Sequence, residues 1–181
     1  MRRDQLEHLL RAAGAVVATD EFIVIGSQAI VGAIDGALPE VAVLSIEADL
    51  VPIDDVDGEK ANLLDGTIGE LSMFHETFGI YAQGVGESTA RLPAGWKDRL
   101  VALRSENTRG VTGWCLDPVD LVVSKLLAGR EKDLEFCGAL LAAGVVAADD
   151  VRTRAGLVEA SPEEIELLLG RVDRLSAGPA T

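Results

Sequence analysis

Apolar positions change their period several times along the chain, and each change marks an element. In residues 4–14, Leu6, Leu9 and Leu10 recur at helical spacing, and Gly14 stands where a helix would stop. "FIVIG", from Phe22, is short, β-branched and uninterrupted, the pattern of a buried strand. Gly26-Ser27 follows, with Ser27 placed to cap a helix over "QAIVGAIDG", where Ala29, Val31 and Ile34 pack around a spacing Gly32. "VAVLSIEADLVPI", residues 41–53, predicts a second strand ended by Pro52.

A turn and a Leu/Ala-rich helix are expected in "DDVDGEKANLLDG". The glycine-rich "TIGELSMFHETFGIYAQGVGESTARLPAGW" predicts special backbone angles rather than a regular element. "RLVALRS", "ENTRG" and "VTGWCL" form a strand, turn and strand. From Asp117-Pro118 the pattern is helical, as one helix or two joined near Gly129. Ser161, Pro162 and Glu164 make a capping box for a last helix, before a frayed "SAGPAT". The fold class is α/β (α+β), a mixed sheet flanked by helices. An α/β core is expected over 1–116, with a helical segment over 117–176 packed on it.

Charge narrows the function. Thirty acidic against sixteen basic side chains give a net charge of -14, which opposes extended contact with phosphate backbones and anionic membranes. Aromatic residues are 4% of the chain, too few to favour base stacking as a binding mode. Any nucleotide site must be a local basic pocket. Cys115 and Cys137 sit apart in apolar surroundings and are expected as buried thiols. No signal pattern follows Met1, and no apolar stretch approaches the ~20 residues that cross a bilayer. A cytoplasmic protein with no membrane partner is expected.

The chemistry gathers at two carboxylates. Glu47 and Asp49 lie two apart on a predicted strand, so they project from one face about 6.5–7 Å apart and can converge on one hard divalent cation. The plain alternative is an exposed edge-strand face. Gly26 permits a tight turn, and backbone N–H groups after Ser27 favour phosphate; the plain alternative is an ordinary cap. Lys125, Arg130 and Lys132 put three cations into eight residues of an acidic chain. If the helix is continuous, Lys125 and Lys132 share a face, able to neutralise a triphosphate or simply to pair with Glu131 and Asp133. Ser72, His75 and Gln83 stand as contacts to a base, ribose or acceptor, with His75 alternatively a structural residue between Phe74 and Phe78.

In combination, strand, Gly26-Ser27, helix and then Glu47-Ala48-Asp49-Leu50 resemble the nucleotidyltransferase superfamily that includes DNA polymerase β. The stretch "DLVVSKLLAGREKDLEF" further resembles the later motifs of abortive-infection-type (AbiEii-like) nucleotidyltransferases, many of them toxins, with Lys125 and Asp133 at the matching positions. The likeness covers residues 20–145. The Ser27-to-Glu47 gap is longer than in compact members, and the first acid is Glu where Asp is commoner. The resemblance implies a minimal nucleotidyltransferase fold. It implies Mg²⁺ (or Mn²⁺) on Glu47 and Asp49, and a nucleoside triphosphate seated by Gly26 and Ser27 and clamped by Lys125 with Arg130 or Lys132. It also implies transfer of a nucleoside monophosphate to a hydroxyl of a tRNA end or a protein, with an antitoxin partner for a toxin. For a third carboxylate, Asp133 is a candidate base or orienter and Glu70 a second candidate. The rival reading is an inactive relative that keeps the fold as a binding or regulatory module.

Overall fold

A computed structural model of the chain describes residues 1–177. Of the expected frayed tail, Gly178 to Thr181 lie outside the described residues.

The first helix, α1 (Arg3–Val17), buries Leu6, Leu9, Leu10, Ala13 and Val17 along one stripe. It does not stop at Gly14. A Cβ there would meet Val111 Cγ2 at 2.6 Å, so Gly14 serves close packing within the helix. Ala18, in the left-handed region at φ 51°, ends α1 instead.

Strand β1 (Glu21–Ile25) is buried from Phe22 to Ile25, as a central strand covered on both faces should be. A second strand, β2 (Glu47–Pro52), pairs antiparallel with it. β3 (Tyr81–Gly84) lies parallel to β2 at one edge. On the other side of β1, β5 (Thr112–Cys115) runs parallel and pairs antiparallel with β4 (Val101–Leu103), the expected hairpin. The mixed five-stranded sheet therefore has the order β3-β2-β1-β5-β4.

β2 is shorter than its apolar sequence predicts. Residues Glu40–Val43 form a 3₁₀ turn, closed by the Ala42 N–H on the Pro39 carbonyl at 2.9 Å. The register explains the limit. β1 ends at Ile25 opposite Asp49, and β3 begins at Tyr81 opposite Glu47, so nothing remains to pair with an upstream extension.

Helix α2 (Ala29–Ala33) is a five-residue piece over β4 and β5, and α3 (Glu59–Ile68) covers β3 and β2. The glycine-rich middle is more regular than its composition predicts. It contains α4 (Met73–Phe78), whose start is capped by Ser72 accepting the His75 N–H at 3.1 Å and whose end is Gly79 at φ 67°.

After β5 the regular elements among the described residues are all helices. They are α5 (Pro118–Ala128), α6 (Glu131–Ala142), α7 (Ala148–Ala155) and α8 (Pro162–Ser176). Asp117 caps α5 by accepting the N–H groups of Val119 and Asp120, and the Ser161–Glu164 box caps α8, both as the sequence indicates. The break between α5 and α6 is held from α8. The Arg171 guanidinium donates to the Leu126 and Leu127 carbonyls and lies so close to Gly129 that a Cβ would overlap it. Gly129, at φ 63°, thus ends α5, and Arg130 turns the chain into α6.

Candidate functional site

Alternation along β2 sorts its side chains. Ala48 and Leu50 are buried, while Glu47 and Asp49 stand half-buried on the opposite face. Cross-strand partners share a face, so Ile25 on β1 and Tyr81 and Gln83 on β3 flank the two acids. The Tyr81 hydroxyl donates to Glu47 Oε2 at 3.1 Å.

Asp49 has another carboxylate as its neighbour. Burial first, then the charge of Glu47 and a hydrogen bond with it, push the Asp49 carboxyl up to about 6, against the lowering influence of Lys125 and Lys132. The same acids act on Tyr81. Burial and Glu47, with smaller contributions from Glu70 and Asp49, push its phenol up to about 12.

Gly26 lies directly against this pair. It has φ 68°, and a Cβ on it would sit 2.0 Å from Asp49 Oδ2. Glycine is thus required twice, by the backbone angle and by the carboxylate. The turn closes from the Ala29 N–H to the Gly26 carbonyl at 3.3 Å. Ser27 does not cap α2, because the helix starts two residues later, with Gln28 in the cap position and no side-chain cap bond. Gln28 is buried, and among the described residues its side-chain amide atoms have no hydrogen-bond partner.

A cleft of about 240 Å³ opens beside Gly26 and Asp49. Its other walls are α5, through Leu121, Ser124 and Lys125, the α5–α6 turn through Arg130, and the loop of Thr89, Ala90 and Arg91. Three cations therefore meet in one cleft of a chain whose net charge is -14.

Asp133 organises two of them. It is fully buried, with Oδ1 accepting from Lys125 Nζ at 2.9 Å and Oδ2 from Arg130 Nε at 2.7 Å. Burial alone would raise its carboxyl, but the two cations outweigh it and hold the group below the usual aspartate value. Lys125 Nζ also lies 4.8 Å from the Phe136 ring centre. Asp133 does not line the cleft, and both its oxygens are engaged, so it orients Lys125 and Arg130 and is poorly placed as a base.

Of the two readings, two helices joined near Gly129 is the one found, so Lys125 on α5 and Lys132 on α6 share no helical face. Lys132 is exposed in the first turn of α6, though its charge reaches Asp49. His75 is not the histidine between the phenylalanines. That place belongs to His8, 5.5 Å from the Phe74 ring and 4.5 Å from Phe78, whereas the His75 ring lies 4.8 Å from Tyr81. Ser72 is the α4 cap. The two thiols are buried and free, as expected.

Two residues of the site carried no sequence signal. Arg91 holds Glu164 of the α8 capping box at 2.6 Å, and only tertiary folding brings it to the cleft. Tyr81 would have been found only by placing a strand in the glycine-rich middle. Among the described residues, no group of three or more His, Cys, Asp or Glu is arranged to hold a metal ion, and no helix is long and apolar enough to cross a membrane.

No curated protein and no solved structure matches the chain. Residues 4–164 match the family described as "Nucleotidyltransferase of unknown function (DUF6036)". That match spans most of the chain, and the chain belongs to this nucleotidyltransferase family.

Proposed function

We propose that this chain is a divalent-cation-dependent nucleotidyltransferase that moves a nucleoside monophosphate from a nucleoside triphosphate to a hydroxyl, releasing pyrophosphate. The observation that carries the reading is the contact of Gly26 with Asp49 at the mouth of a cleft lined by Arg91, Lys125 and Arg130. A carboxylate pair beside a basic cleft suits a phosphate chain that shares a metal ion with the protein.

Glu47 and Asp49 fit Mg²⁺ or Mn²⁺. They are two hard oxygen donors on one face, and the carboxyl of Asp49 is pushed up to about 6 by burial and by Glu47, a repulsion that a divalent cation relieves. When bound there, such an ion neutralises charge developing on the transferring phosphoryl group. Gly26 lets the Asp49 carboxylate lie directly against the turn, and the half-buried Ser27 beside it offers a hydroxyl to the triphosphate. Lys125 and Arg130, held by Asp133, face the phosphates, with Lys132 adding charge from the next turn.

The narrower reading is an abortive-infection-type enzyme. It is supported by the Lys125–Asp133 pair, two motif positions that meet at 2.9 Å across the α5–α6 break. A place in a toxin–antitoxin pair follows from the same resemblance.

Pyrophosphate release from each of the four ribonucleoside triphosphates with Mg²⁺ tests the proposal. Wild type should turn over one or more of them, and Glu47→Gln should lower the rate by about 10³-fold, since metal-borne charge stabilisation is worth several kcal/mol at about 1.4 kcal/mol per tenfold. Equal rates in Glu47→Gln and wild type would overturn the metal assignment.

A further inference from the structure

The two sides of the Glu47–Asp49 pair differ in charge. The cleft side has Arg91, Lys125 and Arg130. The segment that builds the β3 side supplies none of its own. Between Lys60 and Arg91 the chain carries Asp65, Glu70, Glu76 and Glu87 and neither Lys nor Arg. Asp65 accepts the Gly84 N–H at 2.7 Å, and Glu87 pairs with Lys97. Glu70 and Glu76 are exposed at the surface.

Glu70 and Glu76 flank a ledge that is continuous with the pair, Glu70 through its charge acting on Tyr81 and Glu76 as the neighbour of His75 in α4. Tyr81 and Gln83 share its sheet face, Tyr81 donates to Glu47, and the His75 ring lies against Tyr81. The ledge is also apolar, with Leu71 83% and Met73 76% exposed between Glu70 and Glu76. Asp65 occupies the outer N–H of Gly84 and closes that end of β3 to strand addition.

We infer that the acceptor is a Ser, Thr or Tyr hydroxyl in a basic polypeptide segment laid on this ledge. The inference rests on the nucleotidyltransferase reading of the cleft. Lys and Arg side chains of such a segment would pair with Glu70 and Glu76 while their aliphatic stems cover Leu71 and Met73. A nucleic-acid end brings phosphates to a segment whose thirty residues, 61–90, hold no Lys or Arg, and on a chain of net charge -14 the balance of charge goes against it. In the transfer, the acceptor oxygen forms a bond to the α-phosphorus and the bond from that phosphorus to the bridging oxygen breaks. Pyrophosphate leaves with that electron pair, and the hydroxyl proton passes to solvent.

The test offers the full chain, with Mg²⁺ and α-labelled nucleoside triphosphates, three acceptors in parallel. They are a Lys/Arg-rich peptide with one Ser, one Thr and one Tyr, the same peptide with Glu at every Lys and Arg, and bulk tRNA. Label should enter the basic peptide at least about tenfold faster than either competitor, and less so as salt rises. The variant Glu76→Lys, at an exposed site, should raise the KM for the basic peptide about fivefold with a smaller change in kcat. Preferred labelling of tRNA, or equal labelling of the two peptides, would overturn the inference. Mg²⁺-dependent binding of nucleotide, followed separately, distinguishes the two failures. If binding persists and no peptide is labelled, the acceptor inference alone fails; if binding is absent, the reading of the cleft fails with it.

Discussion

Asp120 and Asp49 are both carboxylates withdrawn from water, and the fold treats them in opposite ways. Asp120, in the first turn of α5, is fully buried, with Arg99 donating to both its oxygens at 2.9 and 3.1 Å and Arg154 sharing Oδ1. Its charge is answered by the protein, and the result ties the 3₁₀ turn Trp96–Arg99, α5 and α7 together. Asp49 is answered mainly by Glu47, a like charge, with Lys125 and Lys132 acting from further off. Compensated charge marks architecture here, and a like-charged pair beside a basic cleft marks the place where chemistry is expected.

Removing Asp120 breaks the comparison on its structural side. Asp120→Ala leaves Arg99 and Arg154 without their shared partner and should cost about 3–5 kcal/mol of stability, read by chemical denaturation. A loss below about 1 kcal/mol would show that solvent replaces Asp120 easily.

At Asp49 the opposite sign is expected. Its folded-state value of about 6 lies above that of an ordinary aspartate, so folding favours the protonated carboxyl. That stability is complete below about pH 4 and is lost as pH rises through about 6. In EDTA, Asp49→Asn should therefore be more stable than wild type above pH 6, by up to roughly 3 kcal/mol. The advantage should shrink as pH falls toward 4. Denaturation at pH 5 and pH 8 measures it.

The smallest effect belongs to Arg130, whose side chain is 64% exposed while it donates to Asp133. Arg130→Gln keeps the Lys125–Asp133 pair, so stability should move by no more than about 1 kcal/mol. The KM for nucleoside triphosphate should rise about tenfold, the share of one charge-assisted contact. Steady-state kinetics separates the two.

The same contrast explains what the sequence made legible. Glu47 and Asp49 announced themselves because charge in a strand-like apolar run is unusual, and period two fixes their common face. The hairpin, the Asp117 cap and the Ser161–Glu164 box were legible because each is local chemistry. What was hidden depends on contacts distant in sequence. Gly14 reads as a stop until Val111 is seen against it, and Gly26 reads as a turn glycine until Asp49 Oδ2 is found at its α-carbon. The upstream end of β2 is set by where its neighbours end, and Arg91 reaches the cleft through tertiary folding. α4 and β3, of six and four residues, are too short for periodicity to show among glycines, although Ser72 and Gly79 bracket α4 as cap and stop. The short segment Ala148–Ala155 buries only Val151 and Ala155, too few positions to make a pattern.

The most direct measurement is thermal stability with each of the four ribonucleoside triphosphates, with and without Mg²⁺, for wild type and Asp49→Asn. Nucleotide at ~100 times its dissociation constant adds about 2.7 kcal/mol, a rise of several degrees for a chain of this size. A Mg²⁺-dependent rise in wild type that Asp49→Asn abolishes is the predicted result. A rise that survives in Asp49→Asn, or none with any triphosphate, would contradict the assignment of metal and nucleotide to the two acids on β2.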